Sequence, residues 1–320
     1  MKLKDSVFHE LLIANGYRSG GDLAKQFGVS RTAIWKVIEQ LKEDGCKIEA
    51  ASKRGYLLVS EPDLFSAGYL QFLTADCRIP WTVQYFHEVD STNNYAKSLA
   101  SQGAPEGSVV IADRQTAGKG RLGKQFHSPE GGLYMSLILR PSMSLDNMMA
   151  VTACTASAIH LALRDFDITT QIKWVNDLFL NGKKICGILT EGSFNAELLT
   201  MDYLVIGAGI NLRPDPHLPE ELKSVITDIG TETRQGIRRT TLAAAILRHL
   251  EQLLEELPQR TYLSVYTENS CTLGHHVRVR AARGECTALA VGFSDNAGLI
   301  VRHDDGSEEV IQTGTAQLLD

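Results

Sequence analysis

No apolar run in this chain reaches the stretch of about eighteen residues that marks a membrane-spanning helix. The opening MKLKDSVFHE also lacks the apolar core of a secretory signal. Both absences lead to the expectation of a soluble, cytoplasmic protein with no membrane partner. Metal-ligand spacings are missing too. The six cysteines (Cys46, Cys77, Cys154, Cys186, Cys271, Cys286) are scattered with no CxxC among them, and the nine histidines form no HxxxH pair or Cys/His cluster. His275 and His276 are adjacent, so a strand would send their side chains to opposite faces. Reduced core cysteines and no structural metal site are therefore expected. Positive charge is not in excess either: the formal net charge of −6 argues against a protein that coats nucleic acid non-specifically. It leaves room for a small DNA-reading module. No internal repeat or low-complexity tract is visible.

What is present is enough chain, 320 residues with 43% hydrophobic, for two or three cores. Apolar residues from Phe8 to Ala14 fall at helical spacing and stop at Gly16. Ser19 can cap a short helix with Leu23, Ala24 and Phe27 inward; Gly28 turns the chain, and Ser30 can cap a second helix with Ile34, Ile38 and Leu41 inward. That is helix-turn-helix spacing. KIEAASKRGYLLV then reads as a hairpin wing around Lys53-Arg54-Gly55. Ser30, Arg31, Thr32, Trp35 and Lys36 at the start of the second helix, with Lys53 and Arg54 on the wing, are the candidate DNA contacts. The same pattern would also suit a plain three-helix cap with a hairpin.

Glu61-Pro62-Asp63 looks like a linker. Beyond it the pattern predicts strands over Trp81–Val89, Val109–Ala112 and Leu133–Leu139, the last in strict alternation, and helices over Ser91–Ala100 and Asn147–Leu163. Further strands are expected at Gln171–Val175, Lys184–Glu191 and Tyr203–Asn211, with Asn181-Gly182 as a hairpin turn. Hairpins outnumber βαβ units, so the sheet should be mixed or antiparallel with helices on one face. A helix over Leu242–Leu257 closes this region. Short alternating strands at His276–Arg280, Thr287–Phe293, Leu299–Arg302 and Glu309–Gln312 suggest a small β-barrel. The expected domains are 1–62, 63–270 and 271–320.

Arg114 to Phe126, RQTAGKGRLGKQF, carries three glycines and four cations. Gly118, Gly120 and Gly123 spell GxGxxG, but Gln125-Phe126-His127-Ser128-Pro129 cannot open the helix that a dinucleotide fingerprint needs. A P-loop fails as well, because Gln125 stands where the magnesium-binding hydroxyl belongs. The loop instead suits a polyphosphate or acyl phosphate, its glycines letting backbone donors approach and its cations offsetting charge. Three other segments go with it. Asp90-Ser91-Thr92-Asn93 gathers two hydroxyls and an amide at a helix start, Lys173-Trp174-Val175-Asn176-Asp177 ends a strand in a polar turn before Lys184, and Gly207-Ala208-Gly209-Ile210-Asn211 leaves room for a ligand at a strand end.

In this order these segments, with the helix-turn-helix, the KRGY wing and the KKICGIL strand, resemble the bifunctional biotin–protein ligase/biotin operon repressor family over nearly the whole chain. The resemblance implies an α+β protein: an N-terminal winged helix-turn-helix, a central mixed sheet like that of class II synthetases, and a C-terminal SH3-like barrel. It implies that biotin and ATP, with Mg2+, give biotinyl-adenylate, and that the acyl group passes to a lysine of a biotin carboxyl carrier protein. It also implies an adenylate-bound homodimer on operator DNA.

Carried over by motif, Ser91, Thr92, Asn93 and Gln115 hold the ureido end of biotin, while Lys119, Gly120 and Arg121 cover its carboxylate and the α-phosphate. Lys184 binds the carboxylate and then the acyl-phosphate oxygen. Gly118, Arg121, Phe126, Lys173, Asn176, Lys184 and Asn211 form the nucleotide set; Lys184, Arg121, Lys119 and Asp177 form the catalytic set, Asp177 either orienting or taking a proton from the amine. Lys119, Phe126 and Val175 depart from the family's usual arginine, tryptophan and proline, and a lysine keeps charge but loses the fork geometry. A lipoate ligase, a biotin sensor without catalysis, and a ligase with an idle winged helix are the competing readings.

Overall fold

The computed structural model describes residues 3–61, 63–140, 148–195, 200–281 and 284–319. Pro62 of the expected linker and Asn147 at the expected helix start lie outside them. The chain divides into two compact units, Met1–Asp76 with Arg238–Thr241, and Cys77–Ile237 with Leu242–Asp320.

The first unit contains α1 (Leu3–Ile13), α2 (Gly20–Gln26), α3 (Arg31–Glu43), the hairpin β1 (Lys47–Ala51) and β2 (Gly55–Ser60), and α4 (Ala67–Leu73). The Ser19 hydroxyl accepts from the N–H of Gly21 and Asp22, and the Ser30 hydroxyl from Ala33, so both helix starts are capped as their sequence requires. Leu23, Ala24, Ile34, Ile38 and Leu41 are buried in one core with Phe8, and Phe27 packs against it partly buried. Gly55, at φ 103°, lets the wing press on Arg18: a Cβ there would strike the Arg18 carbonyl, and Arg18 and Tyr56 exchange backbone hydrogen bonds of 2.8 and 2.9 Å. Helix α4 has no counterpart in the sequence reading. Its cap Ser66 donates to Asp5 of α1 at 2.7 Å, and Asp5 also accepts from the N–H of Gly68. Glu61 and Asp63 are not a free linker, for they pair with Arg238 at 2.9 Å and Arg239 at 3.0 Å.

The second unit holds β3 (Thr82–Val89), α5 (Thr92–Ser101), β4 (Ser108–Gln115), β5 (Leu133–Leu139), α6 (Met148–Arg164), β6 (Gln171–Lys173), β7 (Asp177–Leu180), β8 (Lys183–Asn195) and β9 (Thr200–Ile210). Then come α7 (Glu220–Lys223), α8 (Ile229–Thr233), α9 (Arg239–Glu255), whose first residues belong to the first unit, and α10 (Thr261–Glu268). Seven strands form one sheet in the order β3-β4-β5-β9-β8-β7-β6. Only β3 and β4, joined by the α5 crossover, run parallel; the rest are antiparallel, which makes the sheet mixed. Ala96 and Ala100 of α5 pack on Val110, Ile138 and Val205. All seven residues of β5 are buried, where alternation was expected, because a central strand covered on both faces has no solvent side. Asn181 and Gly182 take φ of 49° and 78°, the left-handed values that a tight hairpin turn demands.

The C-terminal strands β10 (His276–Ala281), β11 (Gly284–Phe293), β12 (Leu299–Arg302), β13 (Glu308–Ile311) and β14 (Thr315–Leu318) form a five-stranded antiparallel sheet in the order β13-β12-β11-β10-β14. This sheet, the segment leading into it and α10 all hold the polar turn after β6. The Trp174 N–H donates to Thr272 Oγ1 at 2.9 Å, its indole N–H to the Ala297 carbonyl at 3.0 Å, and the buried Tyr266 hydroxyl to the Val175 carbonyl at 3.0 Å. The Trp174–Val175 peptide bond is cis.

Candidate functional site

A cavity of about 180 Å³ opens in the second unit. Its walls come from the start of α5, the end of β4, the basic loop, the turn before β7, the start of β8 and the last turns of β9, with Thr315 of β14 added from the C-terminal sheet. Ser91, Thr92, Asn93, Gln115, Lys119, Gly120, Arg121, Phe126, Asn176, Asp177 and Lys184, dispersed over 94 positions of sequence, meet there.

One wall is polar and buried. Ser91 caps α5, with the Asn94 N–H at 3.4 Å from its hydroxyl. Gln115 Oε1 accepts from the Thr92 N–H at 2.8 Å and lies 3.1 Å from the Thr92 hydroxyl, while Gln115 Nε2 donates to Ser128 Oγ at 2.8 Å. Ser136 on β5, absent from the sequence reading, sits 2.8 Å from Thr92 Oγ1 and 2.6 Å from Asn93 Oδ1. Asn93 Nδ2 donates to Glu191 and to the Leu189 carbonyl. Groups so arranged recognise a rigid donor–acceptor array, because any partner left unmatched in this interior carries its full desolvation cost.

The other wall is cationic. Lys184 Nζ lies 2.6 Å from Asp177 Oδ1, and Arg121 Nη1 donates to Asn176 Oδ1 at 3.3 Å. Asn176 is itself held by Nδ2 on the Ile188 carbonyl at 2.6 Å. Burial pushes the Arg121 guanidinium below its ordinary value, against the pull of Asp177. Lys119 is near enough to lower the carboxyls of Asp90 and Glu191, adding to their hydrogen bonds. The basic loop does not open a helix: Arg121–Gly123 makes a single 3-10 turn, and Leu122 at φ 56° is 77% exposed at its tip.

Glycines shape the floor. A Cβ on Gly209 would strike the Phe126 ring, one on Gly187 would come within 2.9 Å of it, and one on Gly207 would strike the Asn93 amide. Phe126 therefore lies on bare backbone, with Lys184 Nζ 5.8 Å from its ring centre.

Three residues of the expected set stand elsewhere. Gly118 does not line the cavity; a Cβ there would strike the Phe126 carbonyl, so its role is to let the loop close on itself. Lys173 lies 5.3 Å over the ring of Phe179. Asn211 donates to the Thr227 carbonyl at 3.0 Å and lines a second cavity of about 40 Å³ with His127, Tyr134, Asp215 and Thr227. His127 Nε2 and Asp215 Oδ2 are 2.7 Å apart across that cavity's lining. The sequence offered only scattered polar residues there, with no motif to join them.

In the first unit, Ser30, Arg31, Thr32, Trp35 and Lys36 are exposed at the start of α3, Trp35 at 52%. Lys53 and Arg54 are exposed on the wing, and the Arg54 guanidinium sits 4.0 Å over the ring of Tyr17, whose hydroxyl donates to Glu49. Tyr17 thus holds Arg54 in place, a contact that strand periodicity does not reveal.

Comparison with known proteins agrees with this geometry. Residues 85–211 match the biotin/lipoate A/B protein ligase family, and residues 5–57 match an HTH domain. The chain is 33% identical over 302 residues to the bifunctional ligase/repressor BirA of Bacillus subtilis, with 92% of each covered. It is 28% identical over 306 residues to the protein of that name in Escherichia coli, covering 92% of this chain and 91% of that one. The biotin protein ligase of Aquifex aeolicus, solved in complex with biotin and ATP, superposes with a TM-score of 0.63 at 28% identity, covering 74% of this chain and 97% of that chain. By its cavity, its capped helix-turn-helix and these likenesses, the chain belongs to the biotin–protein ligase family, in the bifunctional ligase/repressor branch.

Proposed function

We propose that the protein joins biotin to ATP, forms biotinyl-5'-AMP, transfers the acyl group to a lysine of a biotin carboxyl carrier protein, and represses transcription in response to biotin. The observation that carries this reading is one cavity with a buried wall of hydroxyls and amides on one side and Lys184, Arg121 and Lys119 on the other. The first wall suits the ureido ring, and the second suits the carboxylate and α-phosphate.

The chemistry follows from these placements. A carboxylate oxygen of biotin attacks the α-phosphorus, and pyrophosphate leaves. ATP enters as its magnesium complex, the ion belonging to the substrate. Negative charge gathers between carboxylate and phosphorus, where the Lys184 ammonium, aimed by Asp177, and the Arg121 guanidinium offset it. Asn176 orients Arg121. The Phe126 ring covers the product and keeps water from the anhydride. In the second step the carrier amine attacks the acyl carbonyl and AMP leaves, its phosphate still facing Lys184. Asn211 and the smaller cavity take the nucleotide base.

Repression uses Arg31, Thr32, Trp35 and Lys36 against the major groove and Lys53 and Arg54 against phosphate. Adenylate occupancy favours a homodimer that sets two winged helices on a dyad-symmetric operator. With carrier scarce, adenylate persists and repression follows. The test is exchange of labelled pyrophosphate into ATP: biotin should support it and lipoate should not. Equal exchange with lipoate overturns the placing of the ureido ring against Thr92 and Gln115.

A further inference from the structure

Four side-chain oxygens form a line beside the cavity, Gln115 Oε1, Thr92 Oγ1, Ser136 Oγ and Asn93 Oδ1, at successive separations of 3.1, 2.8 and 2.6 Å. Each separation is a hydrogen-bond distance. Only the two hydroxyls bring a proton, so three contacts share two protons.

The amides at the ends decide where those protons go. Gln115 cannot turn over, since Oε1 also accepts from the Thr92 N–H and Nε2 donates to Ser128 Oγ, whose own proton is on the Phe126 carbonyl at 2.9 Å. Asn93 is locked from the opposite side. Its Nδ2 donates to Glu191 Oε2 at 2.9 Å and to the Leu189 carbonyl at 3.2 Å, while Glu191 Oε1 receives the Lys97 ammonium at 2.6 Å. Burial alone would raise the Glu191 carboxyl, but hydrogen bonds from Lys97 and Asn93 outweigh it and hold it below the usual carboxylate value. It is an acceptor at neutral pH.

With acceptors fixed at both ends, Ser136 donates to Asn93 at 2.6 Å, and the one Thr92 proton is left to serve two neighbouring oxygens, Ser136 Oγ at 2.8 Å and Gln115 Oε1 at 3.1 Å. Whichever of the two it takes, Thr92 Oγ1 faces one further oxygen with no proton between them. Ser136 is fully buried and Thr92 faces the cavity, so only a ligand can relieve the opposed lone pairs. An N–H brought to Thr92 does so, and a ligand oxygen makes matters worse.

We infer that Glu191, acting through Asn93 and Ser136, sets the donor–acceptor polarity of the Thr92–Gln115 wall and so selects a ligand that presents an N–H there. It is a positioning residue, for it does not line the cavity. The inference rests on the ureido ring lying against this wall.

Glu191→Gln tests it with almost no change of shape. Lys97 keeps the amide oxygen, the amide nitrogen then faces Asn93, and Asn93 turns over to present Nδ2 to Ser136, giving up its longer bond of 3.2 Å to the Leu189 carbonyl. The line now holds three protons for three contacts, and its demand on the ligand is gone. In biotin-dependent pyrophosphate exchange with the full chain, the KM for biotin should rise about tenfold, the worth of one buried hydrogen bond. The KM for ATP and kcat should stay within about threefold on the same argument. Ser136→Ala cuts the line, so in that background Glu191→Gln should shift the biotin KM less than about threefold, a coupling that a packing defect does not produce. An unchanged biotin KM in Glu191→Gln, or an equal rise in both backgrounds, overturns the inference. If Glu191→Gln does not fold, Glu191→Ala is read in the same two backgrounds. Thr92→Val separates the failures: a normal biotin KM there removes the ureido placement itself, whereas a raised one beside an inert Glu191→Gln removes only the role of Glu191.

Discussion

Lys184 stands where two demands meet. Its ammonium is paired in the cavity wall, and in the proposed reaction it gives up part of that pairing to the biotin carboxylate. Asp177 at 2.6 Å is the partner in that pairing and fixes where the ammonium points. Removing the ammonium leaves Asp177 to repel both substrates, so Lys184→Ala should lower the rate of adenylate formation by about a hundredfold or more. Single-turnover formation of the adenylate, read by mass spectrometry beside a thermal melt, checks this; the melt should move little. His160 makes a different demand. It is fully buried on α6, its Nδ1 lies 2.9 Å from Thr170 Oγ1, and its Nε2 has no hydrogen-bond partner among the described residues. Burial, aided by Arg164, depresses its pKa from 6.5. Below that ordinary value the unfolded chain takes up a proton that the folded chain refuses, so stability is lost as pH falls. The loss is at most about 1.4 kcal/mol per pH unit. Urea unfolding at pH 7.5 and 5.5 should show this loss, and His160→Gln should reduce it.

Strand β9 does the most to build the site, by omitting side chains at alternate positions. Gly207 and Gly209 share a face, and on that face lie the Asn93 amide and the Phe126 ring. Gly209→Ala should push the ring off the floor, cost about 1–3 kcal/mol of stability from overpacking, and let bound adenylate hydrolyse faster; decay of the isolated complex in buffer measures it. The capped helices α2, α3 and α5 and the β7–β8 hairpin were legible in the sequence because capping and turn chemistry act over three or four residues. Phe126, Lys184, Thr92 and Gln115 were legible through motif resemblance. Ser136 was not, since one serine within a buried strand carries no local signal. Glu191 and Lys97, 94 positions apart, carry no local signal of the pair that the fold makes of them. Helix α4 escaped because part of what fixes its start, Asp5 of α1, lies 61 positions before its cap Ser66. Alternation in β5 misled for the same reason: what covers a strand is decided elsewhere in the chain.

At the scale of the molecule, a reader of DNA and a maker of a reactive anhydride share one chain of net charge −6. The acidic balance keeps non-specific DNA binding weak, and the proposed repression sets two winged helices on the operator at once. Mobility shift on DNA upstream of biotin-synthesis genes should therefore require biotin and ATP, and it should weaken steeply with salt. Arg31→Ala or Lys36→Ala should lessen that salt dependence while leaving pyrophosphate exchange intact. The compact unit that reads DNA is not one continuous stretch. Asp63 and Arg239, both nearly buried, pair within it from opposite ends of the catalytic sequence. Transplantation of residues 1–76 onto another enzyme would therefore carry the carboxylate and leave its guanidinium behind, at a cost of about 3–5 kcal/mol. The excised fragment should melt well below the same unit in the whole protein, and Asp63→Asn, which removes the charge that Arg239 offsets, should raise its melting temperature. In this chain the reader of DNA travels with a piece of the ligase or not at all.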